Sequence, residues 1–244
     1  MDISNSLAGT GIVLLGGTSG VGLATARLAA DAGAQVTVVS SRRSSVDKAL
    51  AELPASARGV AANLTDPAAV AAVFDELGTV DHVVFTAGEP LSLMSVEDLD
   101  LDGARAFFEL RYFGALAAVH AAVPHVRDGG SITLTTGSAA ARPAPGWAVA
   151  ASIVGAVDAL TRALAVELAP RIRVNAVSPG VLRSPMWDVL PPADRDALYA
   201  AEAGSVPLGR VGEVEDAALA YVYCMTQRFA TGTVTAVDGG ALLA

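Results

Sequence analysis

The run Gly16-Gly17-Thr18-Ser19-Gly20-Val21-Gly22 carries the first chemistry legible in the chain. It follows the apolar residues 12–15 and opens a segment of helical composition that begins near Val21. Glycines at such a junction let the backbone turn tightly and approach a pyrophosphate, whose charge then rests on the helix N-terminus. A glycine triplet also serves an ordinary tight turn, and it is the strand-to-helix position that points to a dinucleotide. A second cluster, Ser40-Ser41-Arg42-Arg43, ends the next apolar run. A site for a free ribose 2′-hydroxyl would place a carboxylate there. A hydroxyl followed by two guanidinium groups suits a 2′-phosphate, because arginine holds phosphate by charge and by its forked donors. The expected cofactor is NADP(H); the plain alternative is that Arg42 and Arg43 are solvated loop charges. His82, His120 and His125 lack ligand-like spacing with a cysteine or carboxylate, so no metal is expected.

The elements that must hold these residues alternate along the chain. Short β-branched runs at 11–16, 35–40, 58–62, 81–86, 131–136, 172–177 and 233–237 predict strands. Alanine-rich segments at 21–31, 46–53, 68–76, 102–126, 147–168 and 213–225 predict helices. Continuously apolar strands bury both faces, as a parallel sheet does. The alternation implies right-handed crossovers and an α/β fold: three layers around a doubly wound parallel sheet of about seven strands. Residues 1–244 read as one domain, without short repeats or a Pro/Ser-rich linker. Residues 183–212, proline-rich and loosely patterned, read as a loop or lid on the substrate side. Met186, Trp187 and Leu190 within them point to an apolar substrate.

Composition narrows the partners. Of 244 residues, 52% are hydrophobic and 17% charged, with a net charge of -9. That hydrophobic fraction excludes a disordered chain and supplies a full core. The acidic balance argues against a nucleic-acid groove or an anionic membrane surface. A mean hydropathy of +0.49 raises the question of a membrane span. Residues 3–26 are punctuated by Gly, Ser and Thr, and 143–157 are too few and carry Gly and Pro, so no span is expected. Asp2 stands where a secretory leader would carry Lys or Arg, and the single cysteine, Cys224, permits no internal disulfide. A cytoplasmic location is expected.

Over essentially its whole length the sequence resembles the short-chain dehydrogenase/reductase (SDR) family. Gly16, Gly20 and Gly22 match the family's glycine loop. Asn63-Leu64 stands where the family has an Asp-Val pair against the adenine. Phe85-Thr86-Ala87-Gly88 occupies the place of its Asn-Asn-Ala-Gly motif. Ser178-Pro179-Gly180 matches its Pro-Gly motif, with Val181 following near the nicotinamide. The tail adds Pro207-Leu208-Gly209-Arg210-Val211-Gly212, Thr231-Gly232 and Asp238-Gly239-Gly240. The resemblance implies a Rossmann-type fold with a cofactor site of Gly16, Thr18, Ser19, Gly20, Val21, Gly22, Ser40, Ser41, Arg42, Arg43, Asn63, Leu64, Thr86, Ala87, Gly88, Pro179, Gly180 and Val181.

The same resemblance implies an active site with parts missing. Family chemistry rests on an Asn, a Ser and a Tyr-x-x-x-Lys motif, the Tyr protonating the carbonyl oxygen. Here the segment Trp147-Ala148-Val149-Ala150-Ala151-Ser152-Ile153-Val154 runs without a gap into Asp158-Ala159-Leu160-Thr161-Arg162. That register sets Ala150 at the Tyr position and Val154 at the Lys position. Arg111 takes the place of the Asn, and a hydroxyl survives as Ser138 or Thr136. Alanine and valine donate no proton, so ordinary alcohol–ketone interconversion is not expected. An iminium carbon already carries its activating charge, and an enolate formed from an enone can be stabilised by a guanidinium. The implied function is NADPH-dependent reduction of a C=N or activated C=C bond on an apolar small molecule. Arg111, Ser138 and Trp147 are its catalytic candidates. The alternatives are a non-redox enzyme of cyclase or isomerase type and an inactive NADP(H)-binding regulator. A minor branch of the family, which performs imine reduction and pericyclic chemistry, also lacks the Tyr and Lys and carries an Arg; the chain resembles it at Arg111 and Trp147. The plain alternatives are an ion pair of Arg111 with Glu109 or Asp158 and a space-filling Trp147; for Glu89 the alternatives are a carboxylate that balances an iminium charge and a solvated loop carboxylate. In the family, helices equivalent to 102–126 and 147–168 pack against a neighbour's, which implies a homodimer or homotetramer.

Overall fold

The structure is a computed structural model that describes residues 5–90 and 93–244. The chain runs through β1 (Gly11–Leu15), α1 (Gly20–Asp31), β2 (Gln35–Ser40), α2 (Arg43–Leu50), β3 (Arg58–Ala61), α3 (Pro67–Leu77) and β4 (Val80–Phe85). It continues through α4 (Leu101–Phe108), a π-helical turn (Glu109–Gly114), α5 (Ala115–Ala122), β5 (Val126–Thr135), α6 (Ala148–Leu168) and β6 (Arg173–Pro179). The last third holds β7 (Leu182–Arg183), α7 (Pro192–Ser205), β8 (Gly212–Glu213), α8 (Val214–Thr226) and β9 (Val234–Val237). Seven strands form one sheet in the order β3-β2-β1-β4-β5-β6-β9, every pairing parallel, while β7 and β8 pair separately.

The apolar strands explain the layers. Successive side chains of a strand point to opposite faces. Val13 and Leu15 accordingly join the core beneath α3, α5 and α6, whereas Ile12 and Leu14 join the core beneath α1 and α8. β1 pairs with both β2 and β4, so the strand order reverses there. The crevice at the carboxyl ends of those strands is where such a sheet accepts a ligand.

Several elements depart from the sequence expectation, among them β5, which begins at Val126 rather than 131, and the short strands β7 and β8. The α2 helix starts at Arg43 rather than 46, which makes Arg42 its N-cap. The helix expected over 102–126 is interrupted by the π turn Glu109–Gly114 and ends at Ala122. A Cβ on Gly114 would lie 3.0 Å from the Leu64 carbonyl oxygen, so glycine permits a close approach of this turn to the segment after β3. The loop expected over 183–212 contains a 3-10 turn (Pro185–Val189) and the two-proline start of α7, whose polar composition concealed a helix. Finally, α6 is long and apolar enough to cross a membrane by length and composition, contrary to the expectation of no such segment. Ala150, Ile153, Val157, Thr161, Leu164 and Ala165 on this helix are nevertheless buried inside the fold.

One buried polar pair joins the centre of the sheet. His82 of β4 meets Ser131 of β5 through Nδ1 and Oγ at 2.9 Å. Burial, with Arg173 nearby, pulls the imidazole pKa from 6.5 down to about 4. The fold accepts the neutral ring, so its stabilisation is complete above pH 6.5 and fades as pH falls toward 4. That gap amounts to about 3 kcal/mol. Denaturant unfolding compared near pH 7 and pH 4.5 is expected to show a smaller acid loss in His82→Asn than in the wild type. Equal losses would refute the assignment.

Candidate active site

The glycine loop and the end of β4 are pressed together. A Cβ on Gly16, whose φ is +94°, would stand 2.4 Å from the Ala87 amide nitrogen. One on Gly22 would stand 2.3 Å from the Gly16 carbonyl oxygen and 2.5 Å from Thr86 Oγ1. The Thr86 and Ala87 amides both donate to the Leu15 carbonyl, at 2.8 and 3.0 Å, and Thr86 Oγ1 donates to the Gly16 carbonyl at 3.2 Å. Thr86, Ala87 and Gly88 are thereby fixed beside the loop. Ser19 is the N-cap of α1, but its side chain makes no capping bond. The first amides of the helix, from Gly20, Val21 and Gly22, remain available to an anion, with half-buried Thr18 beside them.

A second candidate anion site lies at the end of β2. Ser40 closes the strand, Ser41 and Arg42 are exposed, and α2 begins at Arg43. Arg43 Nε donates to Asp47 Oδ1 at 2.9 Å, one turn along the helix. Arg42 forms no ion pair among the described residues, which leaves its guanidinium for a ligand phosphate. Asn63 is exposed, and its Oδ1 accepts from the Thr65 amide at 3.1 Å, while Leu64 is buried.

On the opposite side, Pro179 ends β6, and Gly180 passes so close to Asp238 that a Cβ would meet its Cα at 2.9 Å. Val181 packs with Trp187, Tyr199 and Val211. Pro185 Cδ lies 3.7 Å from the point a Cβ on Gly20 would occupy, so the segment after β7 reaches over the start of α1. Sequence reading missed a buried support below this crevice. The Tyr221 hydroxyl lies 2.6 Å from Thr135 Oγ1, which donates to the Phe85 carbonyl at 2.6 Å. Burial pushes the Tyr221 hydroxyl above the usual phenol range. Burial likewise pushes Cys224 up to about 11, so this thiol is inert.

The catalytic candidates come from three elements: the π turn, the 3-10 turn after β5 and the start of α6. Arg111 rides the π turn, a helical irregularity that re-aims side chains. Its Nη2 donates to the Glu89 carbonyl oxygen, and its Nε lies 3.2 Å from Glu89 Oε2. Its guanidinium also sits 5.4 Å from the centre of the Phe107 ring. A Cβ on Gly88 would stand 2.6 Å from Arg111 Cζ, so glycine lets the guanidinium lie against the backbone there. Burial pulls the Arg111 pKa down, and Glu89 opposes that shift. The partner is therefore Glu89, rather than Glu109 or Asp158, and Glu89 is not the solvated carboxylate expected from its loop position. Thr136 Oγ1 donates to the Val154 carbonyl at 3.0 Å and is occupied. Half-buried Ser138 opens the 3-10 turn Ser138–Ala140 with no side-chain hydrogen bond among the described residues, so it is the available hydroxyl. Trp147 packs in two directions, on Phe107 and Ile153 and on Trp187 and Tyr199. It joins the start of α6 to the segment containing α7.

A family model for the SDR-like Rossmann domain matches residues 3–244. The chain belongs to the short-chain dehydrogenase/reductase family. Among curated relatives, a short-chain dehydrogenase/reductase of Stachybotrys chlorohalonatus is 39% identical, with 98% of this chain and 99% of the relative covered. Another, malC of Malbranchea aurantiaca, is 33% identical over 97% of this chain and 96% of its own length. A solved structure described as the MalC reductase/Diels-Alderase superposes with a TM-score of 0.91 at 28% identity, covering 100% of both chains. A small-chain dehydrogenase solved in complex with NADPH gives a TM-score of 0.84 at 33% identity, covering 96% of this chain and 99% of that one.

For an SDR, the surroundings of Ala150 and Val154 are notably apolar. Ala150 is 6% exposed and packs with Phe107 and Ile153, while Val154 stands beside Gly137. A cavity of about 580 Å³ lies outside the crevice, between α4, the π turn and the start of α6. Val96, Leu101, Phe108, Phe113 and Val149 line it.

Proposed function

We propose that this oxidoreductase uses NADPH to reduce a C=N or activated C=C bond on an apolar small molecule. The observation that carries the reading is the Arg111–Glu89 pair, set beside Gly88 on a site where Ala150 and Val154 offer no proton. When bound, the cofactor supplies hydride. Gly20, Val21 and Gly22 present amides to its pyrophosphate, and Ser41 with Arg42 takes the 2′-phosphate. The NADPH-bound relative supports this choice. Arg111 offers a fixed cation for charge developing on the substrate, Ser138 a hydroxyl to orient it, and Trp147 an aromatic face. Glu89 supplies a carboxylate that can balance an iminium. Residues 183–212 form the substrate-side cover, since Pro185 reaches Gly20 and Trp187 meets Trp147. A second reading, a cyclisation without redox change on the same scaffold, is favoured by the structural relative described as both a reductase and a Diels-Alderase.

The apolar groove between α4 and α6 is the surface for a second copy, giving a homodimer or homotetramer. Phe113, 52% exposed at its edge, is a large apolar side chain without cover.

Three outcomes are expected. Arg42→Ala should weaken NADPH binding by roughly 10- to 100-fold while leaving NADH little changed. Arg43→Ala should do less, since Arg43 is held by Asp47. A wild-type preference for NADH in the same titrations would sink the 2′-phosphate assignment. NADPH oxidation across a panel of cyclic imines and enones should fall by about 100-fold in Arg111→Ala. Tight NADPH binding without turnover of any imine, enone or carbonyl would instead support the regulator. Light scattering at micromolar concentration should give a dimer or tetramer, and Phe113→Glu should shift it toward monomer; a monomeric wild type contradicts the assembly.

A further inference from the structure

Two of the charges at the crevice, Glu89 and Arg111, are paired in an unusual way. Glu89 follows Gly88 directly, and Ala87 of the same turn is held to Leu15 beside the phosphate loop. Glu89 therefore belongs to the wall of the crevice. Its backbone carbonyl and its carboxylate both take Arg111, so one residue grips the guanidinium at two points. The grip lays the guanidinium flat on Gly88, with Phe107 on its flank. Arg111 and Glu89 are 18% and 31% exposed in their side chains, so water screens the pair poorly. Neither the Arg111 Nε nor the Glu89 Oε2 atom has a hydrogen-bond partner among the described residues, so their 3.2 Å contact is an ion pair without hydrogen-bond geometry. Together the two side chains contribute almost no net charge.

We infer that Glu89 is the positioning and charge-compensating partner of Arg111, and that the pair sets the relative affinity for oxidised and reduced nicotinamide cofactor. The two forms differ at the ring: NADP+ carries a positive nicotinamide and NADPH a neutral one. An uncompensated Arg111 would repel the oxidised ring and leave the reduced one unaffected. An uncompensated Glu89 would do the reverse. Compensation keeps the affinities for the two forms close to one another. This inference rests on the nicotinamide reading above.

Equilibrium titration of NADPH and NADP+, by fluorescence and calorimetry, tests it without any substrate. Glu89→Gln should raise the ratio of the NADP+ to the NADPH dissociation constant by about 5- to 20-fold. Arg111→Gln should lower the ratio, the double variant should return it close to the wild-type value, and Glu89→Asp, which keeps the charge, should hold it there. An unchanged ratio in both single variants, or equal weakening of both forms, overturns the inference. If the wild type binds neither form, the cofactor reading itself fails; if it binds both and the ratio does not move, only the role of Glu89 fails.

Discussion

The structure depends on one close approach: the turn after β1 lies directly on the turn after β4. Gly16 and Gly22 permit it because a Cβ at either position would enter neighbouring backbone. The carbonyls of Leu15 and Gly16 then receive the Thr86 and Ala87 groups that close the contact. Two consequences follow from this packing. The amides of α1 are aimed into the crevice, and Gly88 and Glu89 are delivered to its wall. A bulkier residue in the loop would push the start of α1 away from the turn that holds Gly88 and Glu89.

Charge is used sparingly around that crevice. The net charge is -9, and the two proposed ligand-facing cations are placed singly, Arg42 at the N-terminus of α2 and Arg111 on the π turn. Arg43 spends its guanidinium on Asp47. Arg111 is buried enough for a carboxylate partner to govern both its direction and its field. Around Ala150 and Val154 the start of α6 offers an apolar face, and the Arg111–Glu89 ion pair comes from another element. The apolar excess noted in the composition is absorbed by the two cores flanking the sheet and by the α4–α6 groove.

Much of this was legible in the sequence. The strands of the sheet are short, β-branched and apolar, so their local pattern and their buried environment agree. The glycine loop reads correctly because its residue type is dictated by local backbone geometry. The helical parts of 183–212 and the interruption at Glu109–Gly114 were not legible. The α7 segment is polar and proline-led, and its order comes from Tyr199 packing on Trp187. The π turn carries ordinary helix-forming residues, and its register is set against Leu64 from a distant loop.

The sequence by itself determined the α/β architecture, the phosphate-binding loop and the absence of an ionisable group at Ala150 and Val154. These follow from residue identity and spacing within a few turns of chain. Only the tertiary structure decided that Glu89 is the partner of Arg111, that Ser138 rather than Thr136 keeps a free hydroxyl among the described residues, and that Trp147 ties α6 to the segment containing α7. Each is a contact between segments far apart in sequence, chosen by the packing of the sheet and its helices rather than by local preference.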